Sequence, residues 1–253
     1  MDALKPSRLI IGNGTPESVW MASPQLKQAI CHPLDWWLSM NTRLVVLAPH
    51  PDDEILACGA LLQQHLQRGG KCLIVAATDG EASHKPTLDR SAAQLAATRQ
   101  LESLRGLSRL GTYGVDVVRL GLPDGRLTHH AEDLCRALLR LLHPGDLVVT
   151  TYRLDGHPDH EACGKAAAYA SSKINCRLAQ APVWLWHWST PGDVSIPWNR
   201  LQGLQIPHAC LALKLQALLE HKSQLVAATD NAAPILGESI VQRAQRGVEY
   251  FFI

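Results

Sequence analysis

The chain has no CxxC pair, no apolar run near the roughly 20 residues of a membrane-spanning helix, and no surplus of either charge. Each absence removes a class of function. A formal net charge of +1, from 24 basic and 23 acidic residues, gives no electrostatic footprint for nucleic acid or an anionic membrane. The opening stretch MDALKPSRLIIGNG lacks the long apolar segment of a secretory signal. Seven cysteines, an odd number set mostly within apolar patterns, read as free thiols in a reducing, cytoplasmic setting rather than as a disulfide framework. No GxGxxG follows the first strand-like run, so a dinucleotide-dependent oxidoreductase has little support. There is no repeat, low-complexity tract or convincing internal boundary. With 46% hydrophobic and 19% charged residues, the 253-residue chain can bury a full core without staples.

What is present is alternation. RLVVLAP (43–49), KCLIVAATDG (71–80), VDVVRLGL (115–122), DLVVTT (146–151) and PVWLWHW (182–188) read as strands. Between them lie helical periods: DEILACGALLQQHLQRG, SAAQLAATRQLESLRGL (91–107), HAEDLCRALLRLLHPG and HPDHEACGKAAAYASSK, with a further helix near ALKLQALLEHKSQ (212–224). This order predicts an α/β architecture, a mostly parallel sheet with helices on both faces. Residues 1–42, containing Trp20, Trp36 and Trp37, are expected to form an extension packed on a core of 43–253. In such sheets ligands bind beyond the carboxyl ends of the strands. HPDD, TDGE (78–81), LPDG (122–125) and DGHPDH (155–160) all follow strands at that end and outline one cleft.

Two of these loops carry chemistry. In His50-Pro51-Asp52-Asp53, the i, i+3 spacing brings His50 and Asp53 to one side of the turn, with Asp52 pointing elsewhere. In His157-Pro158-Asp159-His160, Pro158 suits a first helical turn, with His157 as cap and His160 one turn in. Two histidines and a carboxylate form a set for a borderline cation such as zinc, and ferrous iron accepts the same donors. One aspartate remains as a base, although the residues by themselves do not separate the roles of Asp52 and Asp53. Asp159 is expected to cap its helix or orient a ligating histidine. Helix caps alone would explain either box singly; two such boxes at the ends of two strands point to a metal site.

APHPDDE with a later GHPDH resembles the PIG-L/LmbE family of zinc-dependent N-acetylglucosaminyl deacetylases, supported by TDGEASH (78–84), TRQLE (98–102), LGLPDG (120–125) and DGHPDHEA (155–162). The resemblance implies a Rossmann-like fold and the hydrolysis of an N-acetyl group on an amino-sugar conjugate. It implies His50, Asp53 and His160 as metal ligands, Asp52 as base, and His157 as the group that stabilises the oxyanion or assists the leaving amine. Arg99 and Asp124 match positions expected to hold sugar hydroxyls. Some members carry tyrosine where this chain has Asp155, and an acid there is expected to alter the oxyanion environment or the acceptor pocket. Asp79, His187 and His221 are lesser candidates, and Trp184, Trp186 and Trp188 are expected to share one sheet face in the core. A metal-dependent amidase or esterase on a non-sugar substrate, and a non-catalytic metal- or sugar-binding relative, are the alternatives. The acceptor and the oligomeric state are not legible.

Overall fold

The computed structural model describes residues 8–87, 90–112, 114–227 and 233–253. Among these, eight strands form one sheet: β1 (Ile30–His32), β2 (Leu44–Ala48), β3 (Cys72–Ala76), β4 (Asp116–Arg119), β5 (Leu147–Thr151), β6 (Arg177–Ala181), β7 (Leu201–Gln205) and β8 (Val248–Phe252). Their spatial order is β1-β7-β8-β6-β5-β2-β3-β4, and every pairing is parallel except those of β8 with β6 and β7. The central strands β2, β3 and β5 are buried along their whole length, as expected of parallel strands covered on both faces.

The two faces divide the core by strand alternation. Leu44, Val46, Ile74, Leu147 and Val149 pack with Ile55, Leu61, Leu107 and Leu218 on one side. Val45, Leu47, Leu73, Val75 and Val148 pack with Leu134, Leu138 and Cys163 on the other. The 1–42 region supplies edge strand β1, parallel to β7, and its Trp20 and Trp37 are fully buried. All seven cysteines are free, and no described helix is long and apolar enough to cross a membrane.

Two expected elements differ. PVWLWHW is not a strand: β6 ends at Ala181, and Leu185–Trp188 winds into a short helix. The cause is Asp155, whose carboxylate accepts the backbone N–H of Val183, Trp184 and Leu185, each at 2.9 Å, which draws the chain into a turn. The tryptophans therefore do not share a sheet face. Trp184 lines a cavity, whereas Trp186 packs edge-on against Trp20 at 5.0 Å between ring centroids.

The expected continuous helix after HPDD, Asp53–Gln67, is broken at Cys58 (φ −153°, ψ 28°). Beyond the break, Ala60 and Leu61 donate their N–H groups to the two carboxylate oxygens of Glu249 in β8, at 2.8 and 2.9 Å. Lys214 donates to the same carboxylate at 2.7 Å, so the buried acid is both capping and charge-paired. The expected helix near 212–224 also divides, into His208–Leu218 and Lys222–Leu225.

Candidate metal centre and active site

The end of β2 and the end of β5 deliver the two boxes to one point. Asp53 opens the helix Asp53–Gln67, and His157 is the N-cap of the helix Pro158–Ile174, with Pro158 in its first turn as expected. Asp53 Oδ2 lies 3.1 Å from His50 Nδ1 and 3.3 Å from His160 Nε2, and also accepts the His50 N–H at 3.1 Å. Donor atoms on one tetrahedral zinc stand about 3.3 Å apart, and each imidazole lies at about that distance from Asp53. Among the described residues, the donor groups lying mutually within 4.8 Å are His50, His157 and His160, and His50, Asp124 and Asp159.

The opposite nitrogen of each imidazole is also held. His160 Nδ1 lies 2.8 Å from Asp155 Oδ2, and His50 Nε2 lies 3.2 Å from Asp124 Oδ1 and 3.4 Å from Asp159 Oδ2. A carboxylate behind each ring is the arrangement that fixes the tautomer and raises the basicity of a ligating histidine. Asp159 is itself anchored, accepting the N–H groups of Gly125 and Leu127 at 2.7 and 3.0 Å.

The electrostatics agree with a cation site. Burial works against charge on His50, yet Asp124, Asp159 and Asp53 together hold its pKa well above the ordinary value. Burial opposes charge on His160 too, but Asp53 and Asp155 raise its pKa to about 9. Asp53, although burial would raise it, is held far below the usual carboxylate range by His160 and His50. Asp124 is likewise held at about 2, where burial is outweighed by His50. Carboxylates outnumber fixed cations here, and the protein's own protons stand in for positive charge.

Asp52 faces another way. Its Oδ2 accepts from Arg99 Nη2 at 3.1 Å, and no donor among the described residues reaches Oδ1. Burial lifts its pKa to about 7 despite the opposing Arg99 charge. Its backbone sits at φ 139°, a conformation that costs a non-glycine residue about 1–3 kcal/mol and persists only where neighbours enforce it. Glu54 is one enforcer: its Oε2 accepts the Asp52 N–H at 3.0 Å, and its Oε1 accepts from Ser103 Oγ at 2.6 Å. Arg99 is another, donating also to the carbonyls of Pro51 and Gly80. Gly80 sits at φ +69°, where a side chain is strained, and a Cβ there would meet Arg99 Nη1 at 2.0 Å and displace the guanidinium.

His157 closes the group, its ring centroid 4.9 Å from that of His50 and 4.8 Å from that of His160. Its Nδ1 accepts the Asp159 N–H at 3.3 Å, so the neutral ring carries its proton on Nε2. Burial, with the neighbouring imidazoles, lowers its pKa to about 3.

Other sequence candidates divide between wall and interior. Arg99 and Asp124 line the cavity, but their polar groups are turned inward: Asp124 Oδ2 accepts the Ala82 N–H at 2.8 Å while Oδ1 faces His50. From that lining position both also brace the centre, and Glu102, one turn from Arg99, binds Ser223. Asp79 turns away to Arg119 at 3.0 Å. Glu81 of the same loop accepts the Asp124 N–H at 2.9 Å. His187 lines the cavity with Nε2 3.1 Å from the Ile11 carbonyl, whereas His221 is wholly buried and does not reach it. Asp155 is also wholly buried, behind His160, and touches neither the cavity nor an acceptor pocket. Sequence reasoning missed its place; the signal is its i, i+5 spacing to His160. The cavity encloses about 930 Å³.

Residues 45–171, from β2 through most of the helix that carries the second box, match the family model described as PIG-L, GlcNAc-PI de-N-acetylase. The chain is 30% identical over 148 residues to the uncharacterized deacetylase YaiS of Escherichia coli K12, covering 55% of this chain and 71% of that protein. It is 26% identical over 233 residues to the 1D-myo-inositol 2-acetamido-2-deoxy-alpha-D-glucopyranoside deacetylase of Streptomyces avermitilis, covering 79% and 75%. Among solved structures, the N,N'-diacetylchitobiose deacetylase of Pyrococcus horikoshii shares the fold, with a TM-score of 0.56 at 20% identity over 72% of this chain and 70% of that one.

Proposed function

Because the chain belongs to the PIG-L, GlcNAc-PI de-N-acetylase family, we propose that it is a zinc-dependent hydrolase that removes an N-acetyl group from an amino-sugar conjugate in the cytoplasm. One observation carries the reading. Two imidazoles converge on Asp53, and each is backed by a buried carboxylate, Asp155 behind His160 and the Asp124–Asp159 pair behind His50. Nitrogens of His50, His157 and His160 also lie within 4.8 Å of one another. His157 is not counted as a ligand, because a backbone amide rather than a carboxylate stands behind its ring. His50, Asp53 and His160 would hold the ion.

When bound, zinc supplies a Lewis acid for the amide carbonyl and lowers the pKa of water toward about 7. The remaining work falls to the chain. Asp52, with Oδ1 free and a pKa near neutrality, takes a proton from the attacking water. The neutral His157 ring donates its Nε2–H to the carbonyl oxygen as negative charge develops there, a contribution of about 3 kcal/mol for a well-placed donor. Asp52 then returns the proton to the amine as the C–N bond breaks, giving acetate and the free amino sugar.

Asp52 can perform both transfers only while Glu54 and Ser103 hold its strained backbone. Glu54→Ala is expected to lower kcat by about 10- to 100-fold with KM and metal content unchanged, since small misplacements at a reacting group carry costs of that order. Ser103→Ala, which removes only the outer contact, is expected to lose less. Equal losses in KM, or loss of metal, would remove Glu54 from a positioning role.

Chelation tests the metal itself. Treatment with a strong chelator should abolish acetate release from N-acetylglucosamine conjugates and lower the melting temperature, because an ion present at 1,000 times its Kd stabilises the native state by about 4 kcal/mol. Zinc should restore both. Full activity in chelated, metal-free protein would end this reading.

A further inference from the structure

A cavity of about 930 Å³ lies at the upper end of what drug-sized ligands fill, well beyond an acetamido group and one sugar ring. Its polar machinery occupies one end. Beyond the metal centre the cavity wall sets Ile10, Leu56, Trp184, Ile235, Leu236 and Ile240 beside uncharged polar side chains such as Gln224 and Gln242. On the segments that line it, Ile11 is 70% exposed and Ile235 38% exposed, so apolar surface continues into solvent.

Charge on that wall is sparse and of one sign. Arg99, the one lysine or arginine among the described lining residues, is spent on Gly80, Pro51 and Asp52. Away from the metal centre the described lining residues hold a single carboxylate, the exposed Glu238, which accepts from Gln242 Nε2 at 2.9 Å. A phosphate or carboxylate seated there would find no free lysine or arginine among the described lining residues and would meet an acid. An alkyl or aryl group would instead exchange water for side chains, at up to about fourfold in affinity per buried methylene.

We propose that the group attached to the amino sugar is neutral and apolar, an alkyl or aryl aglycone, and that anionic conjugates are disfavoured. The sugar half of this substrate rests on the deacetylase reading above; the aglycone half rests on the wall.

The test measures binding of three glucosamine glycosides to the zinc-loaded full chain by calorimetry: methyl, hexyl, and a hexyl chain ending in a carboxylate. Because these are already deacetylated, binding is read without turnover. The hexyl glycoside is expected to bind at least tenfold more tightly than the methyl one, with most of that gain lost on adding the terminal carboxylate. Glu238→Lys should recover part of the loss, and Trp184→Ala should reduce the hexyl advantage. A carboxylate form that binds as tightly as the hexyl form, or a hexyl form no better than methyl, overturns the proposal. Acetate release from the N-acetyl forms is followed in parallel. If turnover is absent while the binding order holds, the deacetylase reading falls and the aglycone preference stands.

Discussion

Asp52→Ala lowers kcat for acetate release by about 10²- to 10⁴-fold, the usual worth of a general base, while the protein keeps its metal. The separation follows from where the adjacent carboxylates point. Asp53 engages His50 and His160, whereas Asp52 turns to Arg99 and leaves an oxygen free. Removing Asp52 leaves the His50–Asp53–His160 set untouched. Asp53→Ala should do the converse, releasing the metal and activity together. Metal content measured on both purified variants, beside their kinetics, checks the assignment. If Asp52→Ala comes out metal-free, the roles of the two aspartates are exchanged.

Asp155 carries the largest expected effect on stability. Its two oxygens accept three backbone N–H groups, from Val183, Trp184 and Leu185, and sit against His160 Nδ1, all in a fully buried place. Leaving buried donors unsatisfied costs about 1–3 kcal/mol each. Asp155→Ala is therefore expected to remove roughly 3–9 kcal/mol, a large part of the 5–15 kcal/mol that holds a typical domain together. Asp155→Asn retains an acceptor oxygen and should fold, with metal affinity reduced about 10- to 100-fold through the loss of a charged partner for His160. Denaturant unfolding of both variants and zinc titration of the asparagine form make the comparison. An alanine variant as stable as the parent would show that water replaces the carboxylate.

These two carboxylates also mark what a single sequence reveals. LVVLA and LVVTT were legible as strands because a parallel strand covered on both faces is a continuous apolar run. Strands toward the β1 side of the sheet, such as LQGLQ and VEYFF, mix polar and apolar residues and have no comparable signature. The tryptophan alternation in PVWLWHW looks like a strand, but a carboxylate about 30 residues earlier in the chain winds it into a helix. Within the site, the spacing of HPDD and HPDH already suggested converging histidines. Of the partners behind them it contains only Asp159; Asp124 comes from the PDG loop, and Asp155 precedes the second box. Nor does the neutrality of His157 follow from residue type; it follows from burial beside two other imidazoles, while the Asp159 amide pointing at Nδ1 sets the tautomer.

The break at Cys58 has a bearing on how the chain comes to life on the ribosome. The carboxylate that caps the second half of the helix behind HPDD belongs to Glu249, 189 residues downstream of Ala60. At 5–20 residues per second, translation delivers Glu249 roughly ten seconds or more after Ala60 has emerged. Until then the amides of Ala60 and Leu61 are uncapped and Lys214 lacks its counter-charge. The half of that helix beyond Cys58 is thus capped only after β8 has been synthesised, 189 residues later in the chain. A nascent chain paused before β8 would hold both histidine boxes and still lack the cap behind the first.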